Sequence, residues 1–241
     1  MIPSRQAAVP AAIFFMAIMA VSAADVEAAP VDSKLPPEAS AEYLFGMTPG
    51  MDLERFVDRP RLVDTVNYVF TDPASGERRL AGYAEVVAVY DIPLTDLVAV
   101  ATDFAASSSY APRIMESFIQ RQDGADYHLY YKVGIKFMGI EVSFRSTFTS
   151  TVERLGGGAV GIRSRLTESI DESEYEHYTS IYFAPVTVNG RTMTMIRYFN
   201  RPGIRNPSAG MLQVLNIFAP PEARGQVAAI AKEAVRRSGK R

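Results

Sequence analysis

Apolar and polar residues alternate over several stretches between residues 61 and 200, and this period of two is typical of half-buried β-strands. The first stretch lies at 63–69 and the second at 79–90. The loop between them, 71–76, contains Asp, Pro, Ser and Gly, which are common in turns. We therefore predict a β-hairpin here, and the apolar positions just before it predict a short helix ahead of Pro60.

The period changes to three and four residues after Pro93, a residue that the first turn of a helix tolerates. Apolar side chains recur there at Leu94, Leu97, Val98, Ala101 and Phe104. This spacing predicts an amphipathic helix of about three turns. A run of serines at 107–109 interrupts the pattern, and Pro112 ends the helical unit.

A long meander of strands follows the helix. The alternation predicts strands at 114–121, 127–137, 141–154, 160–170, 175–186 and 191–200. The turns between them carry Asp123-Gly124, three glycines at 156–158 and Asn189-Gly190, the last a strong hairpin signal. Because short direct turns join neighbouring strands in opposite directions, we expect the strands to be antiparallel.

These strands have one apolar face that needs a cover. The strand at 127–137 shows this clearly, with aromatic and aliphatic residues at its odd positions and His128 and Lys132 at even positions. The C-terminal segment 207–237 has a helical apolar period and supplies the cover, with a predicted break at Pro220-Pro221. We predict an α+β fold in which a curved antiparallel sheet wraps around a long C-terminal helix, with two short helices after the first strands.

The first 24 residues have a different character. One charge, Arg5, precedes an apolar run that ends in small residues at 22–24. This order predicts a cleaved signal peptide over 1–24 and export to the periplasm or beyond, with a membrane anchor as the alternative. Proline-rich residues 25–50 are predicted to be a linker, and 51–77 an N-terminal extension with an extra hairpin strand.

Composition removes several kinds of function. The 241 residues contain no Cys and only two His, and 25 basic side chains face 27 acidic ones. Thiolate chemistry and Cys-ligated metals are therefore excluded, and no global positive charge favours nucleic acid. His128 and His177 are both predicted to be solvated, the first on a polar strand face and the second in an acidic turn. We predict no cofactor, no metal and no catalytic residue.

The junction Asp91-Ile92-Pro93 through Phe104, the segment Tyr110-Ala111-Pro112-Arg113-Ile114 and the order of elements after them resemble a known superfamily. It is the helix-grip superfamily of START lipid-transfer domains, the birch-pollen allergen fold and bacterial polyketide cyclases. The resemblance covers 78–238 and implies an apolar cavity between the sheet and the C-terminal helix. It also implies that the cavity carries a hydrophobic small molecule such as a lipid, a sterol-like compound or a polycyclic compound.

The apolar faces of the strands and helix predict which residues line that cavity. They are Tyr131, Val133, Ile135, Phe144, Phe148, Ile162, Leu166 and Met195 on strands, and Met211, Leu215 and Phe218 on the helix. Alternation also places Ser164, Glu168 and Arg197 on apolar faces, where an unpaired charge is costly. Either Glu168 lies at a solvated strand end and Arg197 extends to solvent or pairs with a local acid, or one of them orients the polar end of a ligand. A register slip of one residue would bring in Arg165 or Tyr198 instead.

Three functions are compatible with this pattern. The first is binding or transport of the hydrophobic molecule, with transient contact between the basic C-terminal residues and a membrane surface. The second is a cyclase or hydrolase that uses the same cavity. The third is an interaction module of the cell envelope with a solid core, which a large cavity would exclude.

Overall fold

The computed structural model describes residues 45–48, 50–137 and 140–239, and side chains in these ranges apart from 135–142. The predicted signal peptide, most of the predicted linker and the side chain of Ile135 lie outside the described part.

Eight strands form one antiparallel sheet. They are β1 (Arg61–Thr71), β2 (Arg78–Tyr90), β3 (Ile114–Asp123), β4 (Asp126–Phe137), β5 (Ile140–Arg154), β6 (Val160–Ser169), β7 (Glu174–Val188) and β8 (Arg191–Arg205). Their spatial order is β1-β2-β8-β7-β6-β5-β4-β3. The sheet is curved, and the predicted α+β class and order of elements are confirmed.

Three helices accompany the sheet. They are α1 (Leu94–Ala101), α2 (Ser107–Tyr110) and α3 (Met211–Arg237), and a 3₁₀ turn, Leu53–Phe56, precedes β1. Helix α1 buries Leu97 completely, as its three- and four-residue period predicts, and it also buries Val100, a residue outside the predicted stripe. Helix α3 packs on α1, β1, β2 and β8. We call the face of the sheet toward α3 the inner face and the opposite one the outer face.

The predicted break in the C-terminal helix is wrong, because α3 runs without interruption through Pro220 and Pro221. Each proline lacks an N–H, so the carbonyls of Asn216 and Ile217 lose their intrahelical donors. Contacts made before and after the two prolines stabilise the helix despite this loss. Val227 and Ile230 are fully buried in the second half, and Asn216 in the first half accepts a hydrogen bond of 3.0 Å from Asn67 of β1.

The inner face carries the main core. Residues of β2, β4, β5, β6, β7 and β8 pack there against α1 and the second half of α3. Buried members are Ala84, Val86, Ala88, Leu129, Phe148, Ile162, Phe183, Ile196 and Tyr198 from the sheet, and Ala223, Val227, Ile230, Ala231 and Ala234 from α3. The helix residues recur every three or four positions, so one stripe of α3 faces the sheet.

The outer face has its own apolar clusters, because residues 45–48 and 50–57 lie across it. Phe45 is 5% exposed and packs with Tyr83, Tyr178 and Phe199. Phe56 packs with a second group of residues, which contains Val87, Val89, Ala184, Val186, Met193 and Met195. Strands β2 and β8 are therefore apolar on both faces.

Because the outer face is covered as well, two of the predicted residue placements are wrong. Met195 and Arg197 lie on the outer face, with Met195 in the cluster of Phe56. The inner residues of β8 are Ile196 and Tyr198, as in the alternative register. Alternation shows which residues share a face, but it cannot decide between two apolar faces that are both covered.

Glu168 is also not on the inner face. Leu166 is paired with Phe148, but Glu168 is paired with Thr147, so β6 gains one residue relative to β5 at this point. Such a β-bulge changes the side to which the following side chains point. Glu168 is exposed, which removes the cost of burying its carboxylate.

Candidate functional site

The inner face of the central strands is not completely covered. Leu166 on β6 and Thr179 and Ile181 on β7 lie in the middle of an eight-stranded sheet, yet each is only half-buried. Tyr131 on β4 is half-buried as well. Helix α3 packs mainly over β1, β2 and β8, so it covers β4–β7 only in part. We call the space above these half-buried residues the inner cleft.

A line of small polar residues crosses the inner cleft. Register pairs Ser150 of β5 with Ser164 of β6, Ser164 with Thr179 of β7, and Thr179 with Asn200 of β8. We call these four residues the polar row. Ser150 Oγ and Ser164 Oγ are 2.6 Å apart, and Thr179 Oγ1 donates to Asn200 Oδ1 over 2.8 Å. Because these side chains are short, they leave room between the larger apolar residues on either side.

Large apolar residues flank the polar row. On one side Ile162 pairs with Ile181, and Ile181 with Tyr198. On the other side Leu129 pairs with Phe148, and Phe148 with Leu166. The inner cleft therefore has apolar walls and a narrow polar floor, the usual composition of a site for a mostly hydrophobic small molecule.

His177 lies at one end of the polar row, beside Phe148. Its Nδ1 is 2.8 Å from Glu174 Oε1, and its Nε2 is 2.9 Å from Asn200 Oδ1. Ser146 Oγ donates to the other oxygen of Glu174 over 2.6 Å. The ring of Phe148 meets the imidazole edge-on at 5.2 Å between centroids. The prediction that His177 is solvated is wrong, because this side chain is only 19% exposed.

Glu174 and His177 each stabilise the charged form of the other. Burial acts to lower the pKa of His177, but the Glu174 carboxylate outweighs it, so the pKa of His177 is raised. Burial likewise acts to raise the pKa of Glu174, and the charge of His177 outweighs it, so that pKa is lowered. Both ring nitrogens of His177 face acceptor oxygens, which requires a proton on each. The geometry and the directions of both pKa shifts favour an imidazolium beside a carboxylate.

Two tyrosines bring hydroxyl groups to the same face. Burial raises the pKa of Tyr198 and that of Tyr131, and the negative charge of Glu222 on α3 adds to the effect at Tyr198. Glu222 accepts a hydrogen bond of 3.2 Å from Arg113 Nε. Both phenols therefore stay protonated at neutral pH and can donate hydrogen bonds.

The predicted cavity residues divide into three groups. Tyr131, Phe148, Ile162 and Leu166 pack on the inner face, Ser164 belongs to the polar row, and Val133 pairs with the half-buried Phe144. Met211 and Leu215 are half-buried in the first two turns of α3, and Phe218 is 45% exposed. The structure does not bring Glu168, Met195 and Arg197 to the cleft.

The residues missed from the sequence are mainly polar. Glu174, His177, Thr179 and Asn200 face the cleft, but their order along the chain looks like an acidic turn followed by a strand. The signal that identifies them is alternation on β7, since His177 and Thr179 have the same parity as the inner residues Ile181 and Phe183. The predicted strand 175–186 already contains His177 and Thr179, so its alternation places them on the inner face, and only Glu174 lies before the predicted start.

Two further features, a metal site and a membrane-spanning helix, are absent from the described residues. No group of three or more His, Asp or Glu side chains within those ranges could hold a metal ion. Among the described helices, none combines the length and the apolar character needed to cross a bilayer.

Solved structures share this architecture. Human StAR-related lipid transfer protein 5 aligns with a TM-score of 0.51 and 10% identity over 76% of this chain and 88% of that one. The chain has the helix-grip fold of START-like domains. The Zhui aromatase/cyclase from Streptomyces sp. R1128 aligns with a TM-score of 0.50 and 14% identity over 66% and 96% of the two chains.

A protein from Thermus thermophilus gives a TM-score of 0.51 with 11% identity over 65% of this chain and 99% of that one. No protein-family model matches the sequence, and no curated protein has a significantly similar sequence. At these identities the likeness establishes the helix-grip fold.

Proposed function

We propose that this protein binds a hydrophobic small molecule in the inner cleft and carries it in the periplasm or outside the cell. The observation that supports the proposal is the partial exposure of Leu166, Thr179 and Ile181 at the centre of the sheet. Side chains at the centre of a covered sheet face are normally buried by the layer that packs on that face. Here they border open space.

The energetics of the cleft agree with this role. Apolar surface removed from water contributes about 25 cal/mol per Å², so a lipid-like ligand gains most of its affinity from the walls around Phe148 and Leu166. The polar row gives the ligand a preferred orientation, because an unpaired polar group on either side would cost free energy. Lipid, sterol-like and polycyclic skeletons all satisfy these conditions.

Two of the similar structures carry related functions in their names. One is a human lipid transfer protein and another is a polyketide aromatase/cyclase. The predicted signal peptide supports the extracytoplasmic part of the proposal, and it is tested by sequencing the N-terminus of the mature protein from its native host. We expect that N-terminus near Ala24 or Asp25.

Binding is tested with a variant that fills the cleft. Leu166→Trp places a large ring in the open space, and the neighbouring exposed residue provides the control Thr167→Trp on the same strand. Delipidated protein is titrated with fluorescent fatty acid, sterol and polycyclic probes. We expect wild type and Thr167→Trp to bind at least one class of probe, and Leu166→Trp to lose at least tenfold in affinity while keeping a cooperative melt.

The same experiment separates the two alternatives. A folded wild-type protein that binds none of the probes would contradict the carrier function and favour an interaction module. Mass spectrometry of the probe after incubation distinguishes carriage from catalysis, because a carrier releases its ligand unchanged. The engagement of both His177 nitrogens by Glu174 and Asn200 favours carriage, since it leaves this imidazole without a free lone pair to act as a base.

A membrane surface is the proposed place of ligand exchange. Val214, Ile217 and Phe218 on the first half of α3 are 43%, 66% and 45% exposed, and their spacing puts them on one side of the helix. Exposed apolar residues of this kind insert into the headgroup region of bilayers. We expect Ile217→Glu to reduce sedimentation with anionic phospholipid vesicles, and the exposed Gln213→Glu on the same helix to change it little.

A further inference from the structure

Asn200 has hydrogen-bond capacity that the protein does not use. Its Oδ1 accepts from Thr179 Oγ1 over 2.8 Å and lies 2.9 Å from His177 Nε2, which fills both lone pairs of that oxygen. Among the described residues, none accepts a hydrogen bond from its Nδ2. Two N–H donors of a half-buried amide therefore remain available at the polar end of the inner cleft.

The orientation of this amide is fixed by its neighbours. Glu174 Oε1 lies 2.8 Å from His177 Nδ1 and holds one proton there, so a protonated His177 must donate from Nε2. Thr179 donates to the same Asn200 oxygen. Two donors converge on Oδ1, and Nδ2 is consequently the end that is free to meet a ligand.

Tyr198 adds a second donor on the same face. It lies two residues before Asn200 on β8, so about 7 Å separates their Cα atoms along the strand. The residue is 9% exposed, and its hydroxyl is not one of the fully buried polar atoms that lack a partner. It can therefore donate a hydrogen bond to a ligand oxygen in the cleft.

The charges around these donors are already balanced. His177 is paired with Glu174, and Glu222 with Arg113 at 3.2 Å. A charged head group would meet no unpaired opposite charge at these positions and would lose its hydration. An uncharged acceptor oxygen has no such cost.

We propose that Asn200 and Tyr198 determine ligand specificity by donating hydrogen bonds to an uncharged carbonyl oxygen, such as that of a ketone or an ester, on the hydrophobic ligand. This inference rests on the proposed function, because it concerns the ligand of the same cleft. It narrows the ligand class from any hydrophobic molecule to one with a carbonyl near its end.

The test uses three probes with one skeleton: pyrene, 1-acetylpyrene and 1-pyrenecarboxylate. Affinities are measured by fluorescence anisotropy on the full protein. Wild type should bind 1-acetylpyrene about tenfold more tightly than pyrene, as two donors to one carbonyl predict, and more tightly than the carboxylate.

Two variants test whether Asn200 and Tyr198 cause the preference for 1-acetylpyrene. Asn200→Asp keeps the oxygen that faces His177 and Thr179 but replaces the free NH₂ by an acceptor, and Tyr198→Phe removes only the hydroxyl. Each should lower the preference for 1-acetylpyrene over pyrene about threefold or more. The controls are Asn189→Asp in the turn before β8 and Tyr130→Phe, whose ring stacks on Phe118 and faces away from the cleft.

The outcomes are distinct. If no pyrene probe binds to folded wild-type protein, this inference is overturned, and the proposed function fails as well when the fatty acid and sterol probes do not bind either. If pyrene and 1-acetylpyrene bind equally well, or the carboxylate binds most tightly, binding in the cleft stands but the carbonyl proposal is overturned. An unchanged preference in both variants likewise overturns the assignment to Asn200 and Tyr198.

Discussion

Arg197 and Glu85 form an ion pair on the outer face of the sheet, where Arg197 Nε donates to Glu85 Oε1 over 2.7 Å. Their side chains are 4% and 3% exposed. Arg197 Nη1 also donates to the carbonyl of Gly46 over 3.1 Å. The pair thereby ties the segment that precedes β1 to the central strands β2 and β8.

Removing one member of this pair should destabilise the fold. Arg197→Met leaves the Glu85 carboxylate buried without its guanidinium, and we expect the free energy of unfolding to fall by about 3–5 kcal/mol. The double variant Arg197→Met/Glu85→Leu should recover most of the loss, because it leaves no isolated charge. Urea denaturation of the three proteins measures both effects, and a single variant as stable as wild type would contradict this description of the outer face.

Phe45 and Gly161 make a close contact that allows a second prediction. A Cβ added at Gly161 would lie 2.5 Å from the Phe45 ring, and Arg163 stacks over the same ring at 4.6 Å. Gly161→Ala should therefore displace Phe45 and cost about 1–3 kcal/mol. In a Phe45→Ala background the same substitution should cost almost nothing, and a cost that persists there would show that Phe45 does not occupy this position.

The Glu174–His177 pair predicts how stability depends on pH. The pKa of His177 is raised, so its contribution is complete below its unfolded value of about 6.5 and is lost as the pH rises through the folded value. The pKa of Glu174 is lowered, so its contribution is present above about 4.5 and is lost as the pH falls through the folded value.

The stability advantage of wild type over His177→Gln should therefore be largest between about pH 4.5 and 6.5 and should decrease at higher pH. The acidic groups that act on His177 are Glu174 and, more weakly, Glu176. Thermal melts of both proteins from pH 4 to 9 provide the measurement. An advantage that stays constant across this range would mean that His177 does not change its charge within it.

The two prolines inside α3 give the last prediction. Replacing Pro220 and Pro221 by Ala restores donors to the carbonyls of Asn216 and Ile217, and it should raise the free energy of unfolding by a few kcal/mol. If residues 206–219 open to admit ligand, the stiffer helix should also release a bound fluorescent probe more slowly. Stopped-flow release rates check this, and unchanged rates would indicate that ligand enters without movement at the prolines.

Several features of this protein follow from its sequence alone. The three- and four-residue period after Pro93 predicts α1, and strong turn signals such as Asn189-Gly190 separate the strands of the meander. The alternation on β4 correctly puts Tyr131 on the inner face, because β4 has one apolar and one polar side. Local periodicity is sufficient wherever a single face is buried.

Only the tertiary structure could decide the faces of β8 and the composition of the cleft. Residues 45–48 and 50–57 cover the outer face, so Met195 and Tyr198 are both buried, although they point in opposite directions. The polar row joins Ser150, Ser164, Thr179 and Asn200 from four strands, and their meeting depends on the register of three separate strand pairs. A period of two specifies which residues of one strand share a side, but pairing between strands and the layer above each side decide what that side contacts.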